Sequence, residues 1–223
     1  MCNLYTNNPN IAEWAEIVRD HMGVDFILSA GPDTLANQPW AATVYPKYQG
    51  LFFRPADPRA PMTAWEPAVG RWGIVPFFHK GPAKGWKFPT NNCRSEEMHA
   101  KASFRDALRT RRCVIPATAI CEWTGPKGKM TRHAITRADG TPLFLAGLWA
   151  SHTHEDERTE SYTMVMQDTQ PGDDMHGFHN RQPVVLDRAG AAVWLDTGAD
   201  YAPLLKGPPG GTLVADPPQP VAA

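Results

Sequence analysis

The second residue of the chain, Cys2, combines two reactive groups if Met1 is removed. The new N-terminus would carry an amine with a pKa near 8 and a thiol with a pKa near 8.5 on one residue. Such a 1,2-aminothiol condenses with an aldehyde: the amine forms an imine, and the thiol then closes a five-membered thiazolidine ring. Because many chains begin Met-Cys by chance, Cys2 alone assigns no function.

A second candidate segment is TNNCRSEE, residues 90–97. The amide of Asn92 can hydrogen-bond a backbone group or an amine, and the guanidinium of Arg94 has a geometry suited to phosphate. The same residue types are also typical of a turn that leads into a helix. Taken by itself, the segment favours the turn.

Two more segments hold groups that could transfer protons. Glu122 lies between apolar residues in CEW, which would raise the pKa of its carboxyl, or it points to solvent from an alternating strand. His179 and Arg181 lie in HGFHNRQP, residues 176–183, and histidine is the usual proton shuttle. The H-x-x-H spacing that ends at His179 has no third ligand at a recognised distance, so we expect no metal.

A loop over residues 79–90 places Trp86 among Lys80, Lys84 and Lys87. Single-stranded nucleic acid is held by such a combination of cationic groove and stacking rings. Tryptophans more often build the core, so the pattern remains ambiguous.

The composition describes the scaffold that must position these residues. The 223 residues are 42% hydrophobic and 20% charged, with a net charge of −1 and 22 prolines. This balance excludes a charge-rich disordered chain and a protein that coats polyanions in bulk. We find no apolar run of membrane-spanning length, no secretory signal and no C-x-x-C pattern, so we expect a reduced cytoplasmic protein without a disulfide framework.

Local patterns predict a mixture of helices and short strands. A helix should start after Asn10 and end at Gly23, a second should run from 98 to 111, and a short one should follow Asp187. Strands are expected at 44–48, 51–54, 73–75 and in several runs after residue 112, and the Pro-rich segment 54–67 should be a loop. Without regular βαβ alternation, we expect an α+β fold with an antiparallel, barrel-like core in one domain, residues 1–196. Residues 197–223, rich in Gly and Pro, should form a loosely attached tail.

Taken together, the segments resemble the SRAP family, the SOS-response-associated peptidases or abasic-site processing proteins. The resemblance runs from Cys2 to about Leu186 and rests on an ordered set of motifs: Met1-Cys2, RWGIVP (71–76), NCRSE (92–96), RRCVIP (111–116), CEW (121–123), AGLW (146–149) and HNRQP (179–183). It implies a single α+β domain with a barrel-like antiparallel core and flanking helices.

The resemblance also implies covalent capture of abasic sites in single-stranded DNA, through a thiazolidine on Cys2, in the DNA damage response. The implied roles are nucleophile for Cys2, positioning of its amine and the sugar for Asn92, proton transfer for Glu122 and His179, phosphate binding for Arg94 and Arg181, and base stacking for Trp86 and Trp72. No cofactor, metal or membrane is implied, and we expect a monomer that associates with the nucleoid when bound to DNA.

The opening of this chain departs from the family pattern, because Asn3 and Leu4 stand where the family has glycine and a phosphate-binding arginine. Two alternatives therefore stay open. One is a cysteine-type peptidase or autopeptidase, a hydrolase, with Cys2 as thiol nucleophile and His179 as base. The other is a non-catalytic module that binds single-stranded DNA.

Overall fold

The computed structural model describes residues 2–8, 10–28, 40–216 and the backbone of 219–220. The helices are α1 (Ile11–Met22), α2 (Ala102–Thr110) and α3 (Arg188–Leu195). The strands are β1 (Tyr5–Thr6), β2 (Asp25–Phe26), β3 (Thr43–Val44), β4 (Gln49–Pro55), β5 (Ala64–Trp72), β6 (Asn92–Arg94), β7 (Arg112–Ala117), β8 (Ala119–Thr124), β9 (Thr131–Arg137), β10 (Leu143–His154), β11 (Glu157–Asp168), β12 (Arg181–Pro183), β13 (Leu213–Ala215) and β14 (Gln219–Pro220).

The larger of the two sheets closes on itself. Its strands follow the order β11-β10-β7-β4-β5, and β5 pairs back in parallel with β11 through Ser161↔Arg71 and Tyr162↔Trp72. The other neighbours in this ring are antiparallel, and β6 and β12 extend β11 beyond the ring. This closed five-stranded barrel with helices packed on it confirms the α+β fold with a barrel-like core.

The second sheet carries the N-terminus to the barrel. In the order β13-β9-β8-β1-β3, strand β1 lies between β8 and β3, and Tyr5 pairs with both Ile120 and Val44. One step nearer the N-terminus, the backbone N–H of Cys121 donates to the carbonyl of Leu4 at 3.0 Å. Cys2 is thereby brought alongside the end of β8.

Apolar side chains form two large clusters separated by the barrel wall, and Val75, Ala83 and Trp86 form a small third one. The inner cluster includes Cys2, Trp72 and Met164, and the outer cluster lies between the barrel and the helices. Strand β11 contributes side chains to both clusters, since Met164 faces the inner cluster and the next residue, Val165, faces the outer one. The reactive cysteine therefore lies on the inner side of this wall.

The predicted first and third helices are confirmed. The side chain of Asn10 accepts hydrogen bonds from the N–H groups of Ala12 and Glu13, and Gly23 ends α1 with a left-handed φ of 61°. Asp187 caps α3 by accepting from the N–H of Gly190 at 2.7 Å.

The second helix is shorter than predicted. It begins at Ala102 rather than 98, because residues 95–100 form turns in which Glu97 donates to Arg94 and Ala100 to Glu97. Arg112 lies beyond the helix in β7, buried over the ring of Trp194.

Three assignments made from the sequence are wrong. The strand expected at 44–48 ends at Val44, because a turn follows in which Lys47 has a φ of 75°. Residues 64–67, expected in a loop, begin the long strand β5, whose pairing with β4 overrides the local proline signal. Residues 73–75, expected as a strand, form none, since Gly73 has a φ of 135° and breaks the extended run.

The domain boundary at residue 196 stays a prediction, but loose attachment does not describe the residues that follow it. Tyr201, Leu204 and Leu205 pack against the outer cluster, and Leu213–Ala215 forms the strand β13 on β9. Asp174 holds this strand by accepting from the N–H of Leu213 at 2.8 Å. Residues 217–218 and 221–223 of the expected tail lie outside the described residues.

Candidate functional site

Cys2 lies fully buried in the inner cluster. Its thiol donates to the carbonyl oxygen of Leu4 at 3.3 Å. Burial raises the pKa of the thiol, and the nearby carboxylate of Glu122 raises it further. The thiol is consequently neutral at pH 7.

Asn92 is placed against Cys2 by β6. This strand runs parallel to β11 with Asn92 opposite Met164, so the amide side chain shares the inner side with Cys2. Its Nδ2 donates to the Cys2 carbonyl at 2.6 Å. Its Oδ1 is buried and has no hydrogen-bond partner among the described residues. The amide fixes the backbone of Cys2 and leaves one acceptor available.

Glu122 comes from β8 and is 4% exposed. Burial raises the pKa of its carboxyl from 4.5 to about 7. Its Oε1 is also buried, and no partner for it exists in the part of the chain that the structure describes. The carboxyl is thus poised between its acid and base forms at neutral pH, which suits proton transfer.

His179 is held next to the inner cluster, since Met175 belongs to that cluster and Phe178 packs against it. The backbone N–H of Arg181 donates to Nδ1 of His179 at 2.9 Å, so a neutral ring carries its proton on Nε2. Partial burial and the charge of Arg181 lower the pKa of the imidazole. At pH 7 the ring is therefore neutral, with its proton on Nε2.

The two candidate phosphate ligands both carry acidic partners. Arg94 is half-exposed, with Nη1 at 3.6 Å from Glu97. Arg181 is buried and binds Glu96 through both terminal nitrogens and Asp168 at 3.1 Å. A phosphate reaches Arg94 directly but must compete with two carboxylates for Arg181.

The two tryptophans predicted as stacking surfaces are both buried. Trp72 is fully buried and its Nε1 donates to the carbonyl of Asn91 at 2.8 Å. Trp86 is 9% exposed, and its Nε1 donates to Thr90 at 3.0 Å. Both rings are core residues, because each indole N–H finds its partner inside the fold.

Three phenylalanines missed by the sequence analysis supply the exposed rings of this loop. Phe77, Phe78 and Phe88 are 67%, 38% and 66% exposed. Phe78, before Trp86 in the sequence, and Phe88, after it, both pack against the Trp86 ring, at centroid distances of 5.9 and 4.9 Å. The signal was present as the FF pair after Pro76, but apolar residues are ordinarily assigned to the core.

The described ranges contain no helix able to span a membrane. Within the same ranges, no three His, Cys, Asp or Glu side chains are grouped to hold a metal ion.

A family model described as SOS response associated peptidase (SRAP) matches residues 1–217, and the chain belongs to that family. The abasic site processing protein YoqW of Bacillus subtilis is 33% identical over 136 residues, which are 59% of each chain. The abasic site processing protein HMCES of Xenopus tropicalis is 29% identical over 59% of this chain and 45% of its own. The match thus spans less than two thirds of either relative.

Solved structures share the fold. A Bordetella bronchiseptica protein superposes with a TM-score of 0.76 at 30% identity, over 96% of this chain and 98% of that one. A Bacteroides thetaiotaomicron protein has a TM-score of 0.75 at 19% identity, over 96% and 90% of the two chains. The second likeness shows the fold alone.

Proposed function

We propose that this protein captures abasic sites in single-stranded DNA covalently, through the amine and thiol of Cys2 after removal of Met1, as part of the DNA damage response. The observation that carries the proposal is a pair of buried, unpartnered oxygens, Asn92 Oδ1 and Glu122 Oε1, on two residues that act on Cys2: Asn92 by a hydrogen bond and Glu122 by its charge. A buried acceptor without a hydrogen-bond partner lowers the stability of the fold, and a donor from a bound ligand would remove this cost. Relatives named as abasic site processing proteins support the substrate.

The reaction needs no oxidant and no cofactor. The Cys2 amine attacks the C1′ aldehyde of the opened sugar, and the carbinolamine loses water to give an imine. The sulfur then bonds to the imine carbon, and the thiol proton passes to the nitrogen, which closes the thiazolidine. One water leaves for each DNA strand captured.

The site residues supply the proton transfers. Glu122, with a pKa near 7, gives a proton to the departing hydroxyl and takes one back from the amine or the thiol. His179 donates from Nε2 to a sugar oxygen during ring opening. Asn92 holds the Cys2 carbonyl, so that the new amine stays within reach of the aldehyde.

The raised pKa of the Cys2 thiol supports this order of attack. A neutral thiol is a poor first nucleophile, so the amine reacts first and the thiol follows. A thiol peptidase needs the opposite shift, a lowered pKa that gives thiolate at neutral pH. The site therefore favours aldehyde capture over peptide hydrolysis.

The DNA is held at the exposed loop of residues 77–88, which we call the rim, and by the neighbouring surface, rather than in the buried cluster around Cys2. Phe77, Phe78 and Phe88 offer stacking surfaces, and Arg94 offers a cation. These groups are sequence-tolerant ligands of a single strand, which a lesion without a base requires.

The test compares two cysteines. Cys2→Ala removes the thiol and should abolish the covalent product on a single strand with one abasic site, as seen on a denaturing gel. Cys113→Ala alters another fully buried cysteine and should crosslink as the unmodified protein does. Full crosslinking by Cys2→Ala would contradict the proposal, and so would equal loss in both variants when both remain folded.

A further inference from the structure

A cavity of about 490 Å³ lies beside the end of β11. It is bordered by the turn after β6 on one side, by the end of β11 on another and by the segment near residue 206 on the third. The lining residues that matter are Ser95, Glu96, Gln167, Asp168, Asp173 and Lys206.

The floor of this cavity contains polar atoms without partners. Gln167 is 2% exposed, and neither its Nε2 nor its Oε1 has a hydrogen-bond partner among the described residues. Gln182 lies opposite it in the β11–β12 ladder, fully buried, and its Oε1 is likewise unpartnered. Of the two residues, Gln167 lines the cavity, and its amide offers one donor and one acceptor to a planar ligand.

The walls favour N–H donors over anions. Asp173 accepts from Gln182 Nε2 at 2.6 Å and from the backbone of Gln170 at 2.8 Å, which fixes its carboxylate. Glu96 and Asp168 share the charge of Arg181. Three carboxylates against two cations, Arg181 and Lys206, leave the cavity acidic, so a phosphate is repelled and an amino group is attracted.

We propose that this cavity binds a nucleobase of the captured strand that carries an exocyclic amine, adenine or cytosine. This inference rests on the proposed function. The amide of Gln167 matches the adjacent donor and acceptor on the edge of such a base, and a nearby carboxylate accepts from the amine. Thymine has a carbonyl where these bases have the amine, so it would place an acceptor against the carboxylates and form no hydrogen bond with them.

The cavity lies close to Cys2 along the chain. Asn92 contacts Cys2 and Glu96 lines the cavity, and the chain needs four residues to pass from one to the other. At about 3.3 Å per residue this is at most about 13 Å, or some four nucleotides at 3.4 Å each. The base bound there is therefore a near neighbour of the captured sugar.

The test measures equilibrium binding of the full chain to oligo-dC and oligo-dT strands, each with a central tetrahydrofuran. This analogue has no aldehyde, so no covalent step contributes. Oligo-dC should bind at least about fivefold more tightly than oligo-dT. Gln167→Met, which keeps the volume and removes the amide, should reduce the ratio to about one with unchanged affinity for oligo-dT. Gln49→Met, at an exposed glutamine, should keep the ratio.

Failure of this inference is separable from failure of the proposed function. If the protein crosslinks abasic oligo-dT but binds both analogues equally, the base site is wrong and the capture stands. If it crosslinks neither strand, the proposed function fails, and the inference fails with it. If Gln167→Met does not fold, Gln167→Leu replaces it, and a retained dC preference in the folded variant would overturn the assignment to Gln167.

Discussion

The Cys2 cluster and the rim formed by residues 77–88 differ in almost every physical property. Cys2 and Glu122 are buried, with a neutral thiol and a carboxyl whose pKa is near 7. At the rim, Phe77 and Phe88 expose two thirds of their surfaces to solvent. Burial raises the pKa values of the thiol and the carboxyl, which gives the protonation states that a condensation requires. Base stacking requires instead that aromatic rings be exposed to solvent.

Because the two regions differ in this way, substitutions in them should affect different measured quantities. Changes in the cluster should alter the rate of covalent capture at saturating DNA and leave binding intact. Changes at the rim should alter the dissociation constant and leave the saturated rate intact. A substitution that changed the saturated rate and the dissociation constant equally would contradict this separation of roles.

Glu122→Gln should produce the largest rate change in the cluster short of removing Cys2. Without a titratable group there, the capture rate at saturating DNA should fall about a hundredfold or more. Single-turnover gels at pH 7 would measure it, with Glu16→Gln, an exposed glutamate of α1, as the matched control. Unchanged rates in Glu122→Gln would remove Glu122 from the chemistry.

The same carboxyl makes stability depend on pH. Its pKa is raised in the folded chain from 4.5 to about 7, so between these values the folded state holds a proton that the unfolded state has lost. Stability should fall as the pH rises through this window, by about 3 kcal/mol in all. Glu122→Gln removes this loss, so its denaturation midpoint should exceed that of the parent at pH 8 and match it at pH 4. Parallel curves for the two proteins would show that Glu122 is not buried as a neutral acid.

At the rim, Phe88→Ala should weaken binding to single-stranded DNA about tenfold, because loss of one stacked base is worth about 1–3 kcal/mol. Fluorescence anisotropy on a strand with a tetrahydrofuran would report the dissociation constant. Ile27→Ala, which changes an exposed apolar residue just after β2, serves as the control. Equal affinity in Phe88→Ala and the parent would exclude the ring from the interface.

Arg94→Ala should give the smallest change. It removes one half-exposed cation, so the slope of log K against log salt should shrink by about 0.7, with a few-fold loss of affinity at low salt. Arg59→Ala removes a more exposed arginine in another loop and should leave the slope unchanged. An unaltered slope in Arg94→Ala would mean that no phosphate contacts this residue.

The sequence predicted the helices that have local caps and the residues that belong to ordered motifs. Asn10 and Gly23 fix the ends of α1 through contacts within a few residues, so local reading sufficed. Strand β5 could not be found in this way, because its pairing with β4 and β11 depends on distant residues. The start of α2 was placed too early for a related reason, since the turns at 95–100 follow from the pairing of β6 with β11.

For the site, motif order identified the residues but not their environments. Local sequence left the direction of Glu122 open, and the barrel resolves it by burying the carboxyl. The sequence did not show that Trp72 and Trp86 are buried, because ring type does not reveal exposure. The ion pairs of Arg181 with Glu96 and Asp168 join separate segments, which sequence spacing does not show.

The most direct test of covalent capture is the intact mass of the protein before and after mixing with a single strand that carries one abasic site. The account predicts a starting mass without Met1, then a shift equal to the mass of the DNA minus one water, with the modified residue mapped to Cys2. A protein that lacks Met1, binds the strand and shows no shift in mass would contradict the account.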